Sequence, residues 1–305
     1  IRRWNVIVRS RKFIALPGRL KTWSSIYAPV NTGGVAINPR PFSKSIYHFK
    51  LGWIMQVTEQ HIETYREEGY CVVNGLIPAD LIAGVRQRVA EIVADKPNWP
   101  ERHFQVLDPE RYRSVAGGAL PGGIQGPSQQ EDVFATVANH AHLAAAMERL
   151  LVSPVECFTD QVGVKHGAIV EEQGGRSYYH QDSFYWHIDP EWGCNCWIPL
   201  QDVDREAIAL AVMPSSQQGW QLIEHESYFD DPPMGHVGEG EGFVPFKRHR
   251  VPLAQVDYTQ EVLLPMAAGD GLFFTNYTWH RSEPNRTGKD RAFYAIAYQV
   301  KGEKA

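Results

Sequence analysis

The chain has 305 residues, 43% of them hydrophobic and 21% charged, with a formal net charge of −5. This is the make-up of a globular protein of one or two domains, and its mild acidity argues against nucleic acid as the main partner. The four cysteines form no C-x-x-C pair and no apolar run approaches the ~20 residues of a membrane helix, so we expect a reducing, cytoplasmic setting, no zinc ribbon and no membrane partner.

Residues 1–50 hold ten Lys or Arg and no Asp or Glu, so the other 255 residues carry 20 basic against 35 acidic groups. An acid-free, Arg-rich segment has the composition of a transit peptide, which would mean organellar import. The plainer reading is a poorly ordered basic extension, 1–54, ahead of a true start at Met55. From there the pattern becomes regular. Thr58 to Glu68 reads as a short helix with Ile62 and Tyr65 on one face, closed by Gly69. Tyr70 to Val73 reads as a strand ending at Asn74-Gly75. Asp80 is a candidate cap for a second helix whose inward face would carry Leu81, Val85, Val89 and Ile92. Residues 101–130, rich in Gly, Pro and Gln, read as a long loop. Asn139 is a candidate cap for a third helix with Leu143, Met147, Leu150 and Leu151 inward.

Beyond Pro154 short apolar or alternating runs follow one another, at 155–166, 178–186, 194–200, 207–214, 261–265, 271–276 and 291–300. Strands at this spacing without intervening helices indicate a sandwich or barrel. Residues 222–258 break the rhythm and read as an insertion over one mouth of the barrel. Helices first and strands after make one mainly β domain with flanking helices (α+β), covering 55–305.

The chemistry concentrates in Ser177-Tyr-Tyr-His180-Gln181-Asp182-Ser-Phe-Tyr-Trp186. On a strand, residues i and i+2 face the same side, so His180 and Asp182 would offer an imidazole nitrogen and a carboxylate oxygen to one cavity. A third ligand would complete a two-histidine, one-carboxylate face that leaves positions open on Fe(II). A bare H-x-D is common, and a second one, His187-Ile188-Asp189, lies nearby; its Asp precedes Pro190 and reads as a turn, so the first pair is preferred. The best third ligand is His280, at the end of the aromatic run that follows Gly269-Asp270-Gly271. Arg291 opens the last strand and needs an anionic partner, either a protein carboxylate or that of a dicarboxylic cosubstrate.

The order H-Q-D, Trp197-Ile-Pro-Leu, a Pro-Ser-Ser turn, G-D-G-L-F-F, H-R-S and Arg291, together with the opening Val57 to Val73, resembles the phytanoyl-CoA dioxygenase-like (PhyH) family over roughly residues 56–300. That family includes ectoine hydroxylase and tailoring oxygenases of natural-product pathways. The resemblance implies a double-stranded β-helix (jelly roll, cupin-like). It implies Fe(II) held by His180, Asp182 and His280, with 2-oxoglutarate as cosubstrate and O2 as oxidant. The far carboxylate of 2-oxoglutarate would pair with Arg291 and take a hydrogen bond from Ser282, with Gln181 and Trp197 near the cosubstrate. Arg286 lies in a turn and is the weaker candidate for the clamp. Lys165 reads as a solvated strand-edge residue. The reaction implied is hydroxylation of an unactivated C–H of a small molecule, free or tethered to coenzyme A or a carrier protein, with release of succinate and CO2. Related halogenases carry a small residue at the carboxylate position, so Asp182 favours hydroxylation over chlorination; desaturation or ring closure is a further outcome of the same chemistry. The alternatives are a non-oxidative metal-dependent barrel enzyme, such as an isomerase or hydrolase, and an inert barrel used for binding.

The chain departs from the family pattern at Pro214-Ser215-Ser216-Gln217, where Pro-Gly-Ser-His is usual, and at Ala207, where Gly is common; both concern the turn shaping the substrate mouth. About half of Tyr178, Tyr179, Phe184, Tyr185, Trp186 and Trp192 would line the pocket, which suggests a substrate with an apolar or ring-bearing part. The run Phe246-Lys-Arg-His-Arg250 reads either as a solvated face or as a seat for an anionic group. Cys194 and Cys196 share a strand face and read as buried hydrophobes.

Overall fold

The computed structural model describes residues 57–112, 120–169, 177–231, 233–238 and 242–302; the basic segment 1–54 and Met55 lie outside the described residues. The chain divides into two units, 1–46 and 47–305, and all described residues belong to the second.

Four helices come first. α1 (Glu59–Glu68) is capped by Thr58, whose side chain accepts from His61 N–H while the His61 ring accepts from Thr58 N–H, and it ends at Gly69 with φ 83°. A Cβ at Gly69 would sit 2.4 Å from Gln217 Oε1, so this end of the helix needs glycine for space as well as for φ. α2 (Ala79–Ala94) starts after Pro78 and buries Ile82, Val85, Val89 and Ile92. Leu81 packs partly buried against the same core, Ile82 is an additional buried residue, and Asp80 sits in the first turn without capping. α3 (Asp132–Ala138) was not expected, and α4 (Ala141–Leu151) is capped by the His140 side chain. Asn139 ends α3 instead of starting α4.

Fourteen strands follow or interleave among the described residues. The large sheet contains β1 (Tyr70–Val73), β2 (Phe104–Leu107), β3 (Pro121–Gln125), β4 (Val155–Lys165), β5 (Gly193–Pro199), β8 (Met234–Gly238), β9 (Gly242–Pro245), β12 (Gly271–Thr275) and β14 (Arg291–Val300), in the order β1-β12-β5-β14-β4-β3-β2-β8-β9. The small sheet has β11 (Val262–Leu264), β6 (Leu210–Val212) and β13 (His280–Ser282), with β6 central. A separate pair joins β7 (Glu226–Phe229) to β10 (Lys247–Arg250).

The two-residue period of a strand explains the layering. On β5 and β14, Cys194, Cys196, Ile198, Tyr294, Ile296 and Tyr298 pack with the helices in one core cluster. The intervening Trp197 and Ala295 pack instead with Leu210 and Val212 of the small sheet. Two facing sheets with helices outside one of them make the expected double-stranded β-helix. Residues 101–130 are not a plain loop: β2 and β3 lie within them. β3 is hard to read because it contains Gly122 and Gly123. A Cβ on Gly123 would lie 2.9 Å from Gln105 Oε1, and one on Gly122 would lie 3.2 Å from Met234 Sδ, so the strand is bare where its neighbours cross it. No helix among the described residues is long and apolar enough to cross a membrane.

Candidate metal centre

His180, Asp182 and His280 come together between the two sheets, with one ligand atom from each lying within 4.8 Å of the others. His280 Nε2 is 3.6 Å and His180 Nε2 3.8 Å from Asp182 Oδ1. The cause is local backbone pairing. His180 and His280 form an antiparallel bridge, each N–H donating to the other's carbonyl at 3.2 and 3.3 Å. Each Nδ1 lies close to the carbonyl two residues before it, Tyr178 O at 2.9 Å and Thr278 O at 3.0 Å. A carbonyl only accepts, so Nδ1 carries the proton and Nε2 presents its lone pair to the centre.

The reading of 178–186 as a strand is overturned. After His180 the chain turns into the short helix α5 (Ser183–Trp186), and Asp182 stands at its N-cap with φ −62° and ψ −32°. The pair converges through a turn and not through strand alternation. His187 and Asp189 are exposed just beyond α5 and do not join the cluster.

Burial and the neighbouring His280 push the His180 ring well below the usual histidine range, so it stays neutral. Burial raises the Asp182 carboxyl, against the pull of His280 and a hydrogen bond from Asn195. A nearly enclosed carboxylate facing two imidazole lone pairs is electrostatically incomplete, and a cation completes it. Two imidazole nitrogens and one carboxylate oxygen on one side suit Fe(II), with other positions left for exogenous ligands.

The cavity around this triad is also lined by Trp197, Phe293, Ser282 and Lys165. Trp197 stacks on Phe293, ring centroids 5.3 Å apart. Lys165 is not a solvated strand-edge residue: its Nζ donates to Ser282 Oγ and Glu283 O, each at 2.6 Å. It is the direct register partner of Arg291, which puts two cations on one sheet face. Arg291 is half-buried with an unpartnered Nε, close to this wall but not lining it. Arg286 points elsewhere, toward Glu206 and Glu283.

Gln181 lies away from the cavity. Its amide donates to Gln221 O and Tyr277 O, both at 2.9 Å, and accepts from Ile223 N–H at 2.8 Å, while its own N–H donates to His225 Nε2. It ties the turn between the first two candidate ligands to the segment ahead of the third. Gln181→Ala is expected to lower stability by about 1–3 kcal/mol, read by urea denaturation, because two carbonyls and an N–H lose their partner. The Ser216 hydroxyl does related work: it accepts from Trp279 N–H at 2.9 Å, next to His280.

Of the six aromatic residues near the H-Q-D motif, only Tyr185 lines the cavity, so the expectation that half would do so is overturned. Tyr179 belongs to a separate core with Met213 and Val251, Phe184 stacks on His225 and His249, and Trp186 meets Phe158 edge-on. The departure from strand geometry after Asp182 is what turns Phe184 and Trp186 away. Segment 222–258 contributes to the cavity lining through Tyr228, Asp230, Arg248 and His249. Arg248 is paired with Asp230 at 2.9 Å, so the basic run supplies a neutralised cavity residue, whereas Arg250 stacks over Tyr178 and Tyr228.

The phytanoyl-CoA dioxygenase (PhyH) family model matches residues 65–293. Comparison with curated proteins found no match. Among solved structures, EctD from S. alaskensis with bound Fe is 19% identical, with a TM-score of 0.60 over 80% of this chain and 77% of that one. EvdO2 from Micromonospora carbonacea var. aurantiaca complexed with 2-oxoglutarate is 19% identical, with a TM-score of 0.58 over 81% and 93%. The non-heme alpha ketoglutarate dependent epimerase SnoN from nogalamycin biosynthesis is 20% identical, with a TM-score of 0.55 over 79% and 80%. At these identities the likeness is one of fold.

Proposed function

The chain belongs to the phytanoyl-CoA dioxygenase family, and from that premise we propose that it is an Fe(II)- and 2-oxoglutarate-dependent oxygenase hydroxylating a small molecule of secondary metabolism. The observation that carries the reading is the enclosed His180–Asp182–His280 cluster, a carboxylate oxygen facing two imidazole lone pairs. When bound, Fe(II) together with 2-oxoglutarate and O2 supplies the oxidising power: the keto acid is converted to succinate and CO2 and a C–H bond is hydroxylated. The protein's part is to bind, orient and exclude water. His180 and His280 offer Nε2 because their Nδ1 protons are engaged, and Asp182 offers Oδ1. Lys165, Ser282 and Arg291 form the seat for the far carboxylate of 2-oxoglutarate. An anion there relieves the facing cations and gives the Arg291 Nε an acceptor. Trp197 and Phe293 wall the space between that seat and the centre.

Hydroxylation is the proposed outcome because a carboxylate occupies position 182 and leaves no room for a halide ligand. The epimerase among the similar folds marks this outcome as the point to test. The wall of Tyr185, Tyr228, Asp230 and Arg248 favours a substrate with hydrogen-bonding groups over a purely apolar one. The four cysteines are free, which supports a reducing compartment.

The test is succinate formation from 2-oxoglutarate by protein loaded anaerobically with Fe(II) and then given O2 and candidate substrates, with products identified by mass. Binding of metal without any 2-oxoglutarate binding would turn the reading to a non-oxidative metal enzyme. Lys165→Ala and Arg291→Ala are each expected to raise the 2-oxoglutarate requirement roughly 10–100-fold, the equivalent of one charge-assisted hydrogen bond. Their Fe(II) requirement should stay near that of the wild type. An unchanged cosubstrate requirement in both would place the carboxylate seat elsewhere.

A further inference from the structure

Asp182 stands at the N-cap of α5, where an aspartate ordinarily accepts from the first N–H groups of the helix, yet its side chain makes no capping bond. The carboxylate is turned inward and its two oxygens do different things. Oδ1 faces both histidine Nε2 atoms, and Oδ2 accepts from Asn195 Nδ2 at 3.1 Å. The amide orientation follows from chemistry, since an ionised carboxylate has nothing to donate. Asn195 is 4% exposed and sits on β5, one strand alternation from Trp197, so an interior strand paired to β12 and β14 holds it on the cavity side. Its own Oδ1 is buried with no hydrogen-bond partner. A buried amide with half its capacity unmatched is costly for a core strand whose other positions are buried and mostly apolar.

We propose that Asn195 is the positioning residue of the metal centre: by occupying Oδ2 it restricts Asp182 to a single ligating oxygen, Oδ1. This inference rests on the metal reading above and deepens it. Two imidazole nitrogens and one carboxylate oxygen would then hold the ion through three ligand atoms and leave the rest of it to the cosubstrate. A carboxylate free to bind through both oxygens would take a fourth position and compete with the cosubstrate. Asn195 acts through Asp182 and touches no reacting atom.

The experiment is titration of the apoprotein with Mn2+ followed by electron paramagnetic resonance, together with the visible spectrum of the Co2+-loaded protein, which reports coordination number. Asn195→Ala and the similarly sized apolar Asn195→Leu are compared with wild type. We expect both to keep the fold, to bind Mn2+ roughly 10–100-fold more weakly, and to show an altered Co2+ spectrum. A role in packing alone would be met by leucine. Mn2+ affinity within twofold of wild type and an unchanged Co2+ spectrum in Asn195→Leu therefore overturn the inference. If Asn195→Ala does not fold, Asn195→Leu decides it, and loss of sheet structure in both assigns Asn195 to the core and also overturns it. A wild-type protein that takes up no Mn2+ would fail the metal reading itself, a result separate from any difference between variants.

Discussion

His280→Ala should abolish succinate formation and cut Mn2+ affinity by more than the roughly 10–100-fold expected for an outer partner, while the fold persists. The reason lies in what the imidazole does and does not hold. The pairing of His280 with His180 is made by backbone groups, so removing the ring leaves the bridge and β13 in place. What is lost is one of the three candidate ligand atoms, leaving His180 Nε2 and Asp182 Oδ1. Loss of His280 also removes one neighbour that helps keep His180 neutral, leaving burial and the charges of His225 and Arg248 to do so. His180→Ala should behave in the same way. The check is metal titration and succinate assay on protein whose circular dichroism matches wild type. Ordinary succinate production by either folded variant would remove these residues from the centre.

Arg281→Ala should be the most destabilising single change near the site, by about 3–5 kcal/mol, or about 10 °C in Tm for a domain of this size. Arg281 lies between His280 and Ser282 on β13 and is 4% exposed. Its guanidinium donates to Glu261 at 2.9 and 2.7 Å and to Glu283 at 2.9 Å, near the rings of Tyr179 and Tyr258. Tyr179 also donates to Glu261 at 2.9 Å. Without the arginine, two enclosed carboxylates lose their main counter-charge, and Arg205 and Arg286, at 3.7 and 3.9 Å from Glu283, replace it poorly.

The pH dependence has a definite sign. Burial tends to raise the Glu261 carboxyl, but the hydrogen bonds and charge of Arg281 outweigh it and hold the group below the usual glutamate range. A depressed carboxyl contributes stability that is fully present above its unfolded value and is lost as pH falls through the lower folded value. The wild type should therefore lose stability in acid that Arg281→Ala already lacks, and the two denaturation curves should draw together below about pH 4. Equal stability of variant and wild type at pH 7, measured by urea denaturation, would show the network to be without net worth.

Much of the site was legible in the residues because its chemistry is carried by types that are rare inside an apolar strand pattern. His280 after an aromatic strand, Arg291 opening the final one and an H-Q-D motif are visible without coordinates, as are α1 from Thr58 and Gly69 and β14 from its apolar run. The placement of Lys165 was not legible, because a lysine at a strand end looks solvated until its register partner and the Ser282 hydroxyl are known. The same holds for Asn195 and Gln181, whose partners lie 13 and up to 96 residues away along the chain. β3 was hidden because glycine in a strand announces neither pattern nor propensity; its presence answers to neighbours from other strands, and β2, only four residues long, is paired by β3 and β8.

Residue order alone indicated a mainly β barrel or sandwich with flanking helices and the candidate groups of the centre, since local periodicity and side-chain chemistry are properties of the chain itself; the double-stranded β-helix and the full ligand set were what the resemblance to the family implied. Only the tertiary structure decided how those groups meet. Asp182 reaches the histidines from a helical turn, five of the six neighbouring aromatic residues do not line the cavity, and segment 222–258 supplies part of its lining. These outcomes depend on backbone pairing between distant segments, above all the His180–His280 bridge, and short-range pattern carries no record of which distant strand a residue will meet.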